Sequence, residues 1–482
     1  MSAASVHDIR NTGGTEAAAK QREPDASEII AAHLARTQYD HLPQRVVQAT
    51  KASILDTLAC VLAGTACEDV IAIRTLTAKW GGRPSSTVIG QAGLKVPPAS
   101  AVLANGAAIH QFDFDDTHDR AVMHPSSASL VPTLAVAEEI GGVSGQQVIT
   151  AVALANDISS RIGLATRGRM WDHPWFRAPV IGLFGATAAS AKIMGASAEQ
   201  HLHALGLTLP QVSGTWASLH HKGSSVRSIR DGLAYRNGVL AAELAMQGIR
   251  GDGEVFDGPY GFYRAFFRGE YDRRELLDDL GTRYETERVS LKPWPCIRHL
   301  HTTLTAVLDV MRSQKLAFDD IAEVMLHVGQ VNLDRCRPVA LGSIPANHID
   351  LAGNMHFAVA AAIVHRGIPL SLYHDPKLAD EVVLTAMPKV RWKYDARLDG
   401  HTFEPASVEI STKSGQHFKA ECNVALGHPD NPMTLEQRIE KFMDCASAAA
   451  TPVPKNKALQ IVDAVARLDD CADIESLMRL LA

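Results

Sequence analysis

Apolar positions recur at helical spacing along most of the first 290 residues. Ser27 opens an amphipathic run through Ile30, Leu34, Val46, Val47, Ile54, Leu55 and Leu58 that ends at Gly64. Pro43 divides that run into two helices. Residues 81–90, GGRPSSTVIG, read as a loop with a short strand. Ser144-x-x-Gln147 and Ser197-x-x-Gln200 have the spacing of capping boxes, and each follows a glycine that closes the run before it. The first launches the stripe Val148, Ala151, Val152, Ala155 and Ile158; the second launches Leu202, Leu205 and Leu207. A further helix is expected from about Gly232 to Gly248, with Gly238, Ala241, Ala242 and Ala245 giving a thin face for close packing. Past residue 290 the period shortens. IAEVMLHVGQV (321–331) and SVEISTKSGQHFKAECNVAL (407–426) alternate as strands do, the second around a Ser414-Gly415 turn. Two helical runs, 351–366 and 376–386, lie between them, and Thr434-x-x-Gln437 restarts helix towards Ala482. The pattern predicts a mostly α protein, a large all-helical bundle with a smaller inserted α+β unit. Residues 1–26 read as a disordered tail, 27–289 as the first part of the helical domain, 290–427 as the α+β unit and 428–482 as a helical return to the bundle.

Composition narrows the class. The chain has 482 residues, 46% hydrophobic and 21% charged, which suits a globular protein of two or three domains with a large core. A formal net charge of −6 gives no electrostatic reason to expect nucleic acid or an anionic membrane surface as partner. No uninterrupted apolar run reaches the roughly 18 residues of a membrane span, and the N-terminus lacks the basic-then-apolar order of a signal peptide. Seven cysteines are scattered without a CxxC pair. That argues against zinc and iron–sulfur sites and for reduced thiols in a cytoplasmic protein.

The densest chemistry lies in Asn105 to Ser127, NGAAIHQFDFDDTHDRAVMHPSS. A small-residue helical run leads into Asp113, Asp115, Asp116 and Asp119. If that helix continued, Asp113 and Thr117 would share a face. Four acids at a helix C-terminus oppose the macrodipole and call for compensation. His124 precedes Pro125, which disfavours helix at the histidine and suits the first turn of the next one. An imidazole at a helix N-terminus would stay neutral, and the N–H groups of Ser126 and Ser127 could take a carboxylate. An acid–base group beside an anion site suits carboxylic-acid chemistry.

With ILDTLACVLAG (54–64), GLFGATAASAKIMGAS (182–197), GLAYRNGVLAAELAMQGIRG (232–251), DGPYGFY (257–263) and KPWPC (292–296), this stretch resembles the MmgE/PrpD family. That family's reactions include dehydration of 2-methylcitrate, decarboxylation of cis-aconitate and epimerisation of iminodisuccinate. The resemblance implies a helical domain with a smaller lid, a homodimer, and catalysis at the domain junction without metal or organic cofactor. Asp113, Thr117 and His124 match positions of that site. Other positions depart from the pattern. Phe176 stands at a usual histidine, beside His173 and Arg177; Arg227 replaces the site lysine and Arg230 a histidine of the same motif. Ile297 stands where the decarboxylase has a histidine, with His299 and His301 close behind, and Met355-His356 replaces a Phe-Ser pair.

The resemblance and the residues together give a cofactor-independent lyase for a small di- or tricarboxylate such as a citrate or 2-methylcitrate analogue. It would work by proton abstraction next to a carboxylate. His124 and Asp113 are expected as the acid–base pair, with Thr117 orienting substrate. Arg227, Arg230, Arg177, His173, His301 and Lys292 are the expected substrate-binding residues, the arginines because their planar forks match carboxylates. Epimerisation of a substituted dicarboxylate, cis-aconitate-type decarboxylation and a non-catalytic family member are the alternatives. A further rival is the all-α isoprenoid synthase, because Asp115 to Asp119 forms a DDxxD string and Asn156-Asp157-x-x-Ser160 half of a second metal motif. Leu164 stands where that motif needs an acid. His220-His221-Lys222 reads as a polar loop.

Overall fold

The computed structural model describes residues 23–167, 172–220, 224–336, 348–373 and 380–482. Most of the expected tail and His221-Lys222 therefore lie outside the described residues.

Among the described residues, nine helices of more than ten residues build the first part of the chain: α1 Ala26–Arg36, α2 Gln44–Gly64, α3 Glu68–Trp80, α4 Pro98–Ile109, α5 Pro125–Ile140, α6 Gly145–Ala165, α7 Arg177–Ile193, α8 Ala198–Thr208 and α9 Val226–Met246. The turn Ala217–His220 precedes α9. Pro43 separates α1 from α2 as expected, and Asp25 caps α1 through a box with Glu28. The boxes at Ser144/Gln147 and Ser197/Gln200 form with both bonds made. α2 and α6 are long and apolar enough to cross a membrane, but 83% and 94% of their apolar windows are buried in the bundle. They are core helices.

Small residues set the packing that positions the site. α9 lies against α4 and α7. A methyl group on Gly232 would come within 2.4 Å of the Leu103 carbonyl oxygen, and one on Gly106 within 2.8 Å of the Gly232 Cα. Only glycines allow the two backbones to approach so closely. α9 starts at Val226, six residues before the expected start, so Arg227 and Arg230 ride on its first turns.

In the second half α10 (His301–Ser313) and α11 (Met355–His365) pack on each other, and α10 also packs on a four-stranded sheet. Its strands are β1 Ile321–Val328, β2 Val390–Tyr394, β3 Ala406–Thr412 and β4 His417–Cys422, in the order β2-β1-β3-β4. β1 and β3 pair antiparallel, as do β3 and β4 across the turn at Gly415 (φ 86°), whereas β2 joins β1 in parallel. The pattern had not shown β2, because four of its five residues are exposed and nothing alternates. Three helices finish the chain: α12 Leu435–Ser447, α13 Lys455–Ala466 and α14 Glu475–Leu481. Thr434 and Gln437 form the expected box. α12 and α13 pack on α2, so the last helices lie against the first bundle.

Candidate active site

α4 stops at Ile109, just before the acidic string. The expectation that Asp113 and Thr117 share a helical face is overturned. Asp113 is left-handed (φ 50°), and Thr117-His118 form a short antiparallel pair with Val289-Ser290. Continuing the helix would have stacked four carboxylates on its negative end. Instead the chain turns, Phe112 and Phe114 go into the core, and each acid finds a different partner.

Asp113 lies between two cations. Lys292 Nζ is 2.5 Å from Oδ1 and also donates to the Asp113 carbonyl at 2.7 Å, while Arg227 Nη2 donates to Oδ2 at 2.6 Å. Burial opposes the charge, but Lys292, His110 and Arg227 outweigh it and hold the carboxyl well below its usual range. Asp119 is clamped by both nitrogens of the Arg298 fork, at 2.9 and 2.7 Å. Asp116 is the exception. Among the described residues it has no cation and its Oδ1 no hydrogen-bond partner, and burial pushes its pKa up to about 8. Its Oδ2 accepts from the Ser126 N–H at 3.3 Å. The helix N-terminus expected to take a substrate carboxylate thus holds one of the chain's own.

His124 stands at the N-cap of α5, with its side chain 12% exposed. Its Nδ1 is 2.6 Å from the Asp116 carbonyl oxygen and 3.2 Å from Asp115 Oδ2. Both neighbours are acceptors, so Nδ1 carries the hydrogen and Nε2 keeps its lone pair. Nε2 has no hydrogen-bond partner among the described residues. Asp115 also takes His110 Nδ1 at 2.8 Å and the Ser127 hydroxyl at 3.0 Å, so its carboxylate is fixed from several sides. The His110 and His124 rings meet edge to face at 4.8 Å. Burial pushes the His124 pKa down to about 4, against the pull of Asp115, so the imidazole is neutral at ordinary pH.

The geometry revises several expected roles. Asp113 is pinned as an anion and is a poor proton carrier; Asp115 is the carboxylate that orients His124. Lys292 is fully buried and committed to Asp113 rather than open to substrate. Thr117 lies in the string with its hydroxyl unpartnered. Arg227 lies against Asp113, and Arg230 is one turn further along α9. Arg230 donates to the Arg227 carbonyl and stacks on the Phe176 ring at 4.4 Å. Arg230 Nε faces Asp231 Oδ1 at 3.5 Å, whereas Arg227 Nε and Arg230 Nη2 have no hydrogen-bond partner among the described residues. His173 and Arg177 have other neighbours, His173 edge-on to Phe267 at 5.1 Å and Arg177 beside Asp172 and Tyr263. His301 turns its Nε2 to the carbonyl oxygen and sulfur of Cys296, a core contact at the start of α10. The isoprenoid-synthase motif fails as well: Asp157 pairs with Arg161 at 2.9 Å and takes the Glu285 N–H, which turns it away from the acidic string.

Two contributors were not recognised in the sequence. His110 could have been noticed, since it lies five residues before Asp115 in the same motif. Lys441 could not: it arrives from α12, 385 residues after its partner Asp56. Its Nζ binds Asp56 at 2.6 Å and the carbonyls of Phe114 and Lys292 at 2.8 and 2.9 Å. Among the described residues, His110, Asp115 and His124 are also the set with metal-ligand chemistry, their ligand atoms lying within 4.8 Å of one another. A cation there would have to displace the hydrogens that the two Nδ1 atoms direct at Asp115.

The MmgE/PrpD N-terminal domain model matches residues 28–274, and the MmgE/PrpD C-terminal domain model matches 294–467. The chain belongs to the MmgE/PrpD family. Among curated relatives, this MmgE/PrpD chain is 26% identical over 465 residues to cis-aconitate decarboxylase of Homo sapiens, covering 94% of each chain. It is 26% identical to a cis-aconitate decarboxylase-like protein of Aspergillus oryzae, covering 92% of this chain and 94% of the relative. To cis-aconitate decarboxylase of Aspergillus terreus it is 25% identical, covering 92% and 93%.

Proposed function

We propose that this MmgE/PrpD chain is a lyase for a small di- or tricarboxylate, a citrate or 2-methylcitrate analogue, that handles a proton on carbon next to a carboxylate. The observation that carries the reading is the bare Nε2 of His124, whose other nitrogen is tied to Asp116 and Asp115. Arg227 Nε and Arg230 Nη2, without hydrogen-bond partners among the described residues, would take a substrate carboxylate. Nε2 removes the proton, and the electron pair moves towards that carboxylate, where the guanidiniums stabilise it. The imidazolium then returns the proton to the departing hydroxyl, which leaves as water. Side chains already in place supply each part, so the reading needs no cofactor. Decarboxylation is the second reading, favoured by the names of the relatives: carbon dioxide leaves, its bonding electron pair stays on carbon, and that carbon takes a proton from water.

A second copy of the chain is the proposed partner. Val226, Leu233 and Leu240 are exposed at seven-residue spacing along α9, and Trp80 and Ile71 are exposed on α3. An apolar stripe of that kind supports a dimer interface; a monomer mass by light scattering would refute it. The α+β unit is proposed to act as a lid over His124 and the arginines. Seven free thiols support a cytoplasmic location. The function is tested by incubating the protein with citrate, 2-methylcitrate, cis-aconitate and substituted dicarboxylates in deuterated water, read by NMR. Loss of water supports the first reading and loss of carbon dioxide the second. Deuterium exchange alone would indicate an epimerase, and no change in any compound would refute the lyase.

A further inference from the structure

His299 has a side chain that the reaction outlined above does not use and that the fold does not satisfy. It lies on the short turn Arg298–Leu300 and is 6% exposed. Among the described residues, neither Nδ1 nor Nε2 has a hydrogen-bond partner. Its ring leans on Phe403 with centroids 4.8 Å apart. The backbone here is not free to drift, since Arg298, in the same turn, is clamped on Asp119. The charges that reach the ring are those of Arg335, Asp113, Lys292 and Asp119, which come from both halves of the chain, and the paired Asp113 and Lys292 belong to the candidate site.

A buried polar group without a partner costs folding free energy, and an imidazole here has two such nitrogens. An apolar ring would fill the same space against Phe403 without that cost. Buried groups left open in this way call for an explanation, and a ligand that completes them is the simplest. We infer that His299 is a substrate-contacting residue, its ring N–H donating a hydrogen bond to a carboxylate of the polycarboxylate that Arg227 and Arg230 hold. The inference rests on the polycarboxylate reading. Burial, with Arg335 and Lys292 nearby, pushes the His299 pKa down to about 3, so the ring is neutral and stays so. A neutral imidazole donates a hydrogen bond without adding a further cation to a site already rich in them, and no proton leaves it.

His299→Phe separates this role from packing. It removes the unsatisfied nitrogens and keeps the stacking surface, so the melting temperature should be unchanged or higher. On the polycarboxylate that the unaltered protein turns over, kcat/KM should fall roughly 10²–10³-fold, the usual effect of losing one charge-stabilising donor. His299→Gln keeps an N–H donor and should recover part of the loss. A second measurement covers the case in which the phenylalanine variant does not fold. Saturating tricarballylate should shift the ring ¹⁵N signals of His299, assigned by their loss in the glutamine variant. Full activity of His299→Phe, or unmoved His299 signals while the protein turns over substrate, overturns the inference alone. No turnover and no binding of any polycarboxylate refutes the polycarboxylate reading and this inference with it.

Discussion

A histidine whose Nδ1 is tied to two acceptors has one nitrogen left with which to do chemistry. In this chain that nitrogen is His124 Nε2, and Asp115, not Asp113, keeps it available. His124→Ala should lower kcat roughly 10²–10⁴-fold, measured at saturating substrate; a near-normal rate would remove the histidine from the mechanism. Lys292 is more structural than expected. Lys292→Met leaves the buried Asp113 with one cation fewer, and chemical denaturation should show a loss of about 3–5 kcal/mol. Adding Asp113→Asn to that variant should restore much of the stability; no recovery would mean that the lysine's worth lies elsewhere. The sequence showed which types of residue crowd this stretch. It could not show how they pair, because pairing depends on the left-handed turn at Asp113, and a DFDD string is equally compatible with helix.

Long helices were legible because their apolar stripes and capping boxes act within a few residues. α2, α6 and α8 begin where Pro43, Ser144 and Ser197 allow, whereas α1 starts one residue before the expected Ser27, on a cap at Asp25 that the apolar pattern did not reveal. The breaks were less legible. The end of α4 and the early start of α9 are set by contacts with Lys292, Asp113 and the neighbouring helix rather than by local propensity. Gly232 carries a prediction at this scale. Gly232→Ala would push α9 away from the Leu103 carbonyl, costing about 1–3 kcal/mol in thermal or urea unfolding. Because α9 carries Arg227 and Arg230, the same change should raise KM. A variant with lowered stability and an unaltered KM would separate the helix seam from substrate binding.

Across the whole molecule, neutral buried imidazoles make the fold sensitive to acid. Burial pushes His33 and His124 down to about 4 and His201 and His299 to about 3, against 6.5 in an unfolded chain. Their contribution is fully present above pH 6.5. It is lost as pH falls towards 4, because the unfolded chain takes up these protons first. Asp116 and Asp157, raised to about 8 and 6, act in the opposite sense, but they are fewer. The melting temperature should therefore fall between pH 6.5 and 4, followed by circular dichroism; a flat or rising profile would contradict the burial of these rings.

The placement of Lys441 bears on when the protein becomes competent. Asp56, on α2, receives its ammonium partner only from α12, and that same ammonium gathers the carbonyls of Phe114 and Lys292. A chain truncated before α12 would bury that acid without its cation. Such fragments would be inert towards free metabolites, because the acidic turn is tied down only when α12 docks.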